Sequence, residues 1–94
     1  MNEEELYKKI LDTWGIHAQL GMLQEECAEL IVAINKYFRG TPGATDMICE
    51  ELADVQNMIN QLKPLNPSFE RVRLAKLERV KKLLDIPALP ERQV

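Results

Sequence analysis

Two acidic runs echo each other along the chain. Glu25-Glu26-Cys27-Ala28-Glu29-Leu30 and Glu50-Glu51-Leu52-Ala53-Asp54-Val55 correspond position by position at an offset of 25. Carboxylates are the reactive groups this chain has in quantity, whereas it holds one His (His17), one Ser (Ser68) and two Cys (Cys27, Cys49). A Ser-His-Asp triad could use only His17 with Ser68, and a four-ligand Cys/His zinc site would need every candidate at once. Acids that converge either raise their pKa values or recruit a cation, because like charges in close proximity cannot all stay ionised uncompensated. A ligand set made only of carboxylate oxygens suits Mg²⁺ or Mn²⁺, and Mg²⁺ sites commonly pair protein carboxylates with a substrate's phosphates.

Convergence depends on the elements that carry the acids. At about 100° per residue, with Leu23 and Ile48 as zero, the apolar rows Leu23, Cys27, Leu30, Ile34 and Ile48, Leu52, Val55, Ile59 fall within about 40° of zero. Glu26 and Glu51 both fall near 300°, Glu29 and Asp54 near 240°, and Glu25 and Glu50 near 200°. The inner acids therefore flank the apolar stripe. A short linker makes two such helices antiparallel about an approximate two-fold axis, which brings Glu26, Glu29, Glu51 and Asp54 to one patch. Glu25 and Glu50 stand further out, solvated or placed to orient a metal-bound water. A di-iron bundle would need Glu-x-x-His pairs, and His17 lies near neither acid pair.

Punctuation predicts four helices. Gly15 separates the first (about 3–14) from the second (about 16–38), and Gly40-Thr41-Pro42-Gly43 separates the second from the third (about 45–62). Pro64 and Pro67 precede the fourth, which Pro87 and Pro90 end. Thr45 or Asp46 can cap the third helix and Ser68 the fourth. Leu6, Ile10, Leu11 and Trp14 share a face of the first, Leu20 and Tyr37 extend the row of the second, and Phe69, Val72, Leu77, Val80 and Leu84 follow in the fourth. The expected fold is an all-α four-helix bundle in a single domain over 1–86, with a short Pro-containing tail over 87–94.

Composition narrows the function classes. Ninety-four residues, 46% hydrophobic and 29% charged, are ordinary globular usage for one domain. Fifteen acids against twelve bases, a formal charge of −3, give no bulk attraction to nucleic acid or to an anionic membrane. The acidic start Met1-Asn2-Glu3-Glu4-Glu5 is unlike a signal peptide, and the longest apolar run, Leu30 to Ile34, falls far short of the roughly 20 residues a membrane helix needs. Cys27 and Cys49 read as reduced, small apolar residues of a cytoplasmic protein. A chain this small buries a modest share of its surface, so self-association to share a core is expected.

The paired motif, Glu26-x-x-Glu29 followed 22 positions later by Glu51-x-x-Asp54, resembles the signature of MazG-type all-α nucleoside triphosphate pyrophosphohydrolases. The similarity covers roughly Trp14 to Leu62, and the basic helix that follows fits small single-domain members. The resemblance implies a MazG-like bundle completed by oligomerisation, as a homodimer or homotetramer. It implies Mg²⁺-dependent cleavage between the α- and β-phosphates of a nucleotide to a monophosphate and pyrophosphate, with Glu26, Glu29, Glu51 and Asp54 as metal ligands and a role in cleansing nucleotide pools. Such displacement needs positioned water, charge neutralisation and an oriented leaving group. Glu25 or Glu26 is the candidate catalytic base.

Other residues are candidates for substrate binding. Lys36 lies two turns beyond Glu29 on the same face, with small Ala33 between them, and either contacts phosphate or answers its helix C-terminus; Arg39 is a weaker version. Asn57 and Gln61 follow Asp54 at plus three and plus seven and could read a base edge. Trp14 is read first as core, and alternatively as a base-stacking residue with His17 nearby. Met22, Met47 and Met58 fall on the acid side and either pack or line an adaptable pocket. Arg71, Arg73, Lys76, Arg79, Lys81 and Lys82 gather half of the bases in the last helix; Lys76 and Arg79, about one turn apart, could bind outer phosphates. Aromatic residues at 5% give no support for nucleic-acid binding. The rivals are a phosphoribosyl-ATP or a dUTP/dCTP-type hydrolase of the same fold and, in another class, a non-catalytic helical interaction module whose acids are surface charge.

Overall fold

Residues 1–84 are described by a computed structural model, and they form α1 (Glu3–Trp14), α2 (Ile16–Phe38), α3 (Ala44–Leu62), a 3-10 turn (Lys63–Leu65) and α4 (Phe69–Leu83). No strand occurs among the described residues, so the fold is all-α as the spacing predicts. The expected tail over 87–94, with Pro87 and Pro90, lies outside them. The chain falls into two compact units that divide after Pro64.

In the first unit, Asn2 caps α1 by accepting the Glu5 N–H at 2.8 Å, and Glu3, Glu4 and Glu5 answer the positive end of the helix dipole. Gly15, at φ 85° and ψ 160°, takes a backbone conformation that side chains disfavour. It closes α1 by donating to the Leu11 carbonyl and opens α2 by accepting from the Gln19 N–H. At the far end of α2, Gly40 (φ 74°) donates to the Tyr37 carbonyl and Thr41 donates to the Lys36 carbonyl. This is the paired bond pattern of a Schellman stop.

Gly43, also left-handed at φ 77°, occupies the cap position of α3. The predicted caps Thr45 and Asp46 are thereby corrected: the helix starts at Ala44, so both fall inside its first turn, where Asp46 acts by charge alone. The linker is short, as the punctuation suggests, and it turns α3 back along α2.

The core is thinner than the apolar rows predict. Leu23, Cys27, Leu30 and Ile34 of α2 meet Ile48, Val55 and Ile59 of α3 half-buried, while α1 packs on both helices. The buried apolar residues are Ala33 and Ala44, and no large side chain is fully buried among the described residues. Leu6, Leu20, Tyr37 and Leu52, placed in the apolar rows, stand exposed, and so does Trp14 at 63%. Trp14 is thus not core. The physical reason is size: within the first unit a single helix, α1, packs on the α2–α3 pair, and Leu20 and Leu52 lie on the flank it does not cover.

In the second unit, Ser68 takes the cap position of α4 but its hydroxyl makes no cap bond. Its backbone is helical (φ −82°, ψ −5°) rather than extended, and its own N–H donates to Asn66 Oδ1 at 2.9 Å. Along α4, Arg73 pairs with Glu70, and Lys81 with Glu78 at 2.7 Å. Val72, Leu77, Val80 and Leu84 are exposed there.

Candidate metal centre

The four inner acids converge. Each of Glu26, Glu29, Glu51 and Asp54 offers a carboxylate oxygen, and these oxygens lie within 4.8 Å of one another. The pairing is crossed, with Glu26 against Asp54 and Glu51 against Glu29. That reversal of order is what an antiparallel α2–α3 pair requires, and the pseudo-two-fold relation exchanges the two pairs.

Glu26 and Glu51 are half-buried, and Glu29 and Asp54 are exposed at the mouth. Within this cluster Glu26 Oε2 and Glu51 Oε2 are buried without any hydrogen-bond partner. A buried acceptor left unpaired is costly, and a carboxylate oxygen more so. Burial, followed by the charges of Asp54 and Glu29, a carboxyl–carboxyl hydrogen bond with Asp54 and the charge of Glu51, pushes the Glu26 carboxyl above its ordinary value. Burial again leads for Glu51, followed by Glu29, Asp54 and Glu50, with the same upward direction. Two orphaned oxygens aimed into a four-carboxylate cluster, with no nitrogen or sulfur ligand among them, fit a hard divalent cation.

A pH dependence follows from these raised values. A carboxyl whose folded pKa lies above its unfolded one contributes stability at pH below the unfolded value, and loses it as pH rises through the folded value. The metal-free protein should therefore gain thermal stability as pH is lowered from neutrality towards the ordinary carboxylate range. With saturating Mg²⁺ the gain should vanish, because the cation does at neutral pH what protons do in acid. Scanning calorimetry across pH, with Mg²⁺ and with a chelator, checks both halves.

Two hollows lie along the first unit, and the first adjoins the acids. One of about 470 Å³ is lined by Ala33 and Lys36 from α2 and by Met47, Glu50 and Glu51 from α3. The other, about 540 Å³, is lined by Gln19, Asn57, Met58 and Gln61, with Glu3, Leu6, Tyr7 and Ile10 of α1 across it. No protein-family model, curated protein or solved structure matches this chain.

The remaining predicted residues divide by position. Lys36 is half-buried beside the acids, in the first hollow. Asn57 lies in the second, its Oδ1 2.8 Å from Tyr7 Oη, which is also 2.9 Å from Glu3 Oε1. One hydroxyl proton serves one of these acceptors at a time. Met47 and Met58 line a hollow each, while Met22 lines neither. Glu25 is exposed and outside the four-acid cluster, whereas its counterpart Glu50 reaches the first hollow. Trp14 and His17 are exposed and line neither hollow. Lys76 and Arg79 are exposed on α4, in the second unit.

Sequence reasoning missed Gln19 and Tyr7. Gln19 is 6% exposed and Gln61 5%, the two buried polar residues of the first unit. A signal for Gln19 was available: it stands seven residues before Glu26, two turns along the acid-bearing side, as Gln61 stands seven after Asp54.

Proposed function

We propose that this protein is a Mg²⁺-dependent nucleotide pyrophosphohydrolase, which cleaves ribo- or deoxyribonucleoside triphosphates between the α- and β-phosphates to give a monophosphate and pyrophosphate. The observation that carries the reading is the pair of buried, unpartnered oxygens, Glu26 Oε2 and Glu51 Oε2, inside a cluster of four carboxylates. Surface acids without function have no reason to give up hydration in this way.

Glu26, Glu29, Glu51 and Asp54 would hold the cation. Bound Mg²⁺ supplies charge neutralisation for phosphate oxygens and acidifies nearby water. Lys36, half-buried beside Ala33, faces the hollow with a positive charge suited to phosphate. The small Ala33 keeps that hollow open. In the cleavage step a water oxygen bonds to the α-phosphorus, the bond to the bridging oxygen breaks, and pyrophosphate leaves. The water's proton passes to a carboxylate not fully used as a ligand; of the two candidates, Glu26 lies in the cluster and Glu25 outside it.

The protein would act as a homodimer or homotetramer, because Leu20, Ile31 and Leu52 leave an exposed apolar flank on the side of the α2–α3 pair away from the acids. Cleansing of a cytoplasmic nucleotide pool would suit such an activity. Among the described residues no helix is long and apolar enough to cross a membrane.

A panel of all ribo- and deoxyribonucleoside triphosphates, with phosphoribosyl-ATP and dUTP included, assayed for pyrophosphate with and without Mg²⁺, tests the reading. At least one substrate should give metal-dependent pyrophosphate. Release from none, with no thermal shift on adding Mg²⁺, would return the chain to the class of non-catalytic helical modules.

A further inference from the structure

The α2–α3 pair repeats its acid motif at an offset of 25 but differs in chemistry on either side of it. The offset of 25 that maps Glu26 onto Glu51 and Glu29 onto Asp54 also maps Lys36 onto Gln61, Ala33 onto Met58, and Gln19 onto Ala44. Gln19, Ala33, Ala44 and Gln61 are the four buried residues among those described. Because the helices run antiparallel, Gln19 and Gln61 meet at one end of the acid-bearing face, and Lys36 lies near Ala44's end at the other. Each end is displaced from the acids by seven residues, about 10 Å of helix.

The ends differ in what they can bind. At the Lys36 end stands a cation. At the opposite end stand two side-chain amides, each more than nine-tenths buried, and Gln61 Oε1 is a buried acceptor with no hydrogen-bond partner. Both line the hollow of about 540 Å³ that α1 borders on one side. This hollow holds no basic residue, and its one acid, Glu3, lies on α1 and shares the Tyr7 hydroxyl with Asn57. It is shaped for a neutral group whose edge carries an N–H donor, with Met58 beside it as a soft apolar surface.

We propose that the site is polar along the helix pair: the nucleobase of the substrate enters the Gln19–Gln61 hollow and offers an N–H to Gln61 Oε1, while the phosphate tail runs past the acids towards Lys36. The separation of about 10 Å is one that a sugar and an α-phosphate span. Gln61 is then a specificity-determining residue, since a buried amide left unpaired penalises any base that lacks the matching donor. This orientation rests on the proposed hydrolase reading.

Two measurements on the intact chain test it. In amide-resolved NMR without metal, a phosphate-free nucleoside should shift the side-chain NH₂ signals of Gln19, Asn57 and Gln61. Inorganic triphosphate with Mg²⁺ should shift Ala33 and Lys36. Nucleoside shifts at the Lys36 end, or none at the amide end at the solubility limit, overturn the orientation. In turnover, Gln61→Leu should lower kcat/KM for the best nucleoside triphosphate by roughly tenfold or more, leaving hydrolysis of a base-free ribose triphosphate within about twofold. Equal losses on both substrates overturn the role of Gln61. If no nucleotide yields pyrophosphate with wild-type protein, the hydrolase reading fails, whereas the NMR map still decides where a nucleoside sits.

Discussion

Glu51→Gln should abolish Mg²⁺-dependent turnover, by on the order of 10³-fold or more, and should at the same time raise the thermal stability of the metal-free protein. The two effects have one cause. Glu51 Oε2 is buried without a partner, and burial together with Glu29 and Asp54 holds the carboxyl above its ordinary value. In metal-free protein that ionised group is a liability at neutral pH. The glutamine has nearly the same shape, no charge, and an NH₂ that can donate to the carboxylates of Glu29 and Asp54. It therefore relieves repulsion while removing a ligand. The thermal shift produced by Mg²⁺ should shrink with the turnover. Glu26→Gln should act alike, because the crossed pairing makes Glu26–Asp54 the counterpart of Glu51–Glu29. Glu25→Gln, exposed and outside the cluster, should leave the Mg²⁺ shift near that of wild type. Loss of turnover in Glu51→Gln with a lowered metal-free Tm would mean structural damage instead, and retained turnover would remove Glu51 from the site.

The acid cluster was legible in the sequence because it obeys a rule of phase. Two matched motifs, each placed beside an apolar row, need only a short linker to meet, and Gly40 and Gly43 provide it with two residues at positive φ. The helix boundaries were legible for the same kind of reason: Gly15 and the Gly40–Gly43 segment take conformations that other residues resist. Burial was not. Trp14, Leu20 and Leu52 occupy apolar positions, but periodicity reports which face a residue shares and not whether anything covers that face. The caps also misled. Thr45, Asp46 and Ser68 have capping side chains, yet Gly43 starts α3 earlier and Ser68 sits in a helical conformation. The amide hollow stayed hidden because Gln19 and Gln61 are ordinary polar residues by type. Their meaning depends on α1 lying over them, and that contact is long-range.

Leu52→Glu should convert an oligomer to a monomer. On α2 and α3 the acids lie about 240° to 300° from the apolar row, while Leu52, Leu20 and Ile31 lie about 40° to 80° on the other flank. Leu52 is 53% exposed and Ile31 60%, although each is bordered by half-buried neighbours of the core. A second copy of the same pair, packed on that flank, would turn two half-covered stripes into one closed core and leave the carboxylates facing outward. A two-fold interface carries each substitution twice. A carboxylate buried without a partner costs several kcal/mol, so the dimer Kd should rise by roughly a thousandfold or more. Sedimentation across a hundredfold range of concentration should show wild-type protein as a dimer or tetramer and the variant as a monomer. The variant's Tm should fall and lose the concentration dependence that mass action gives an oligomer. A wild-type chain that sediments as a monomer throughout would mean that the open flank of α2 and α3 is not closed by a second copy.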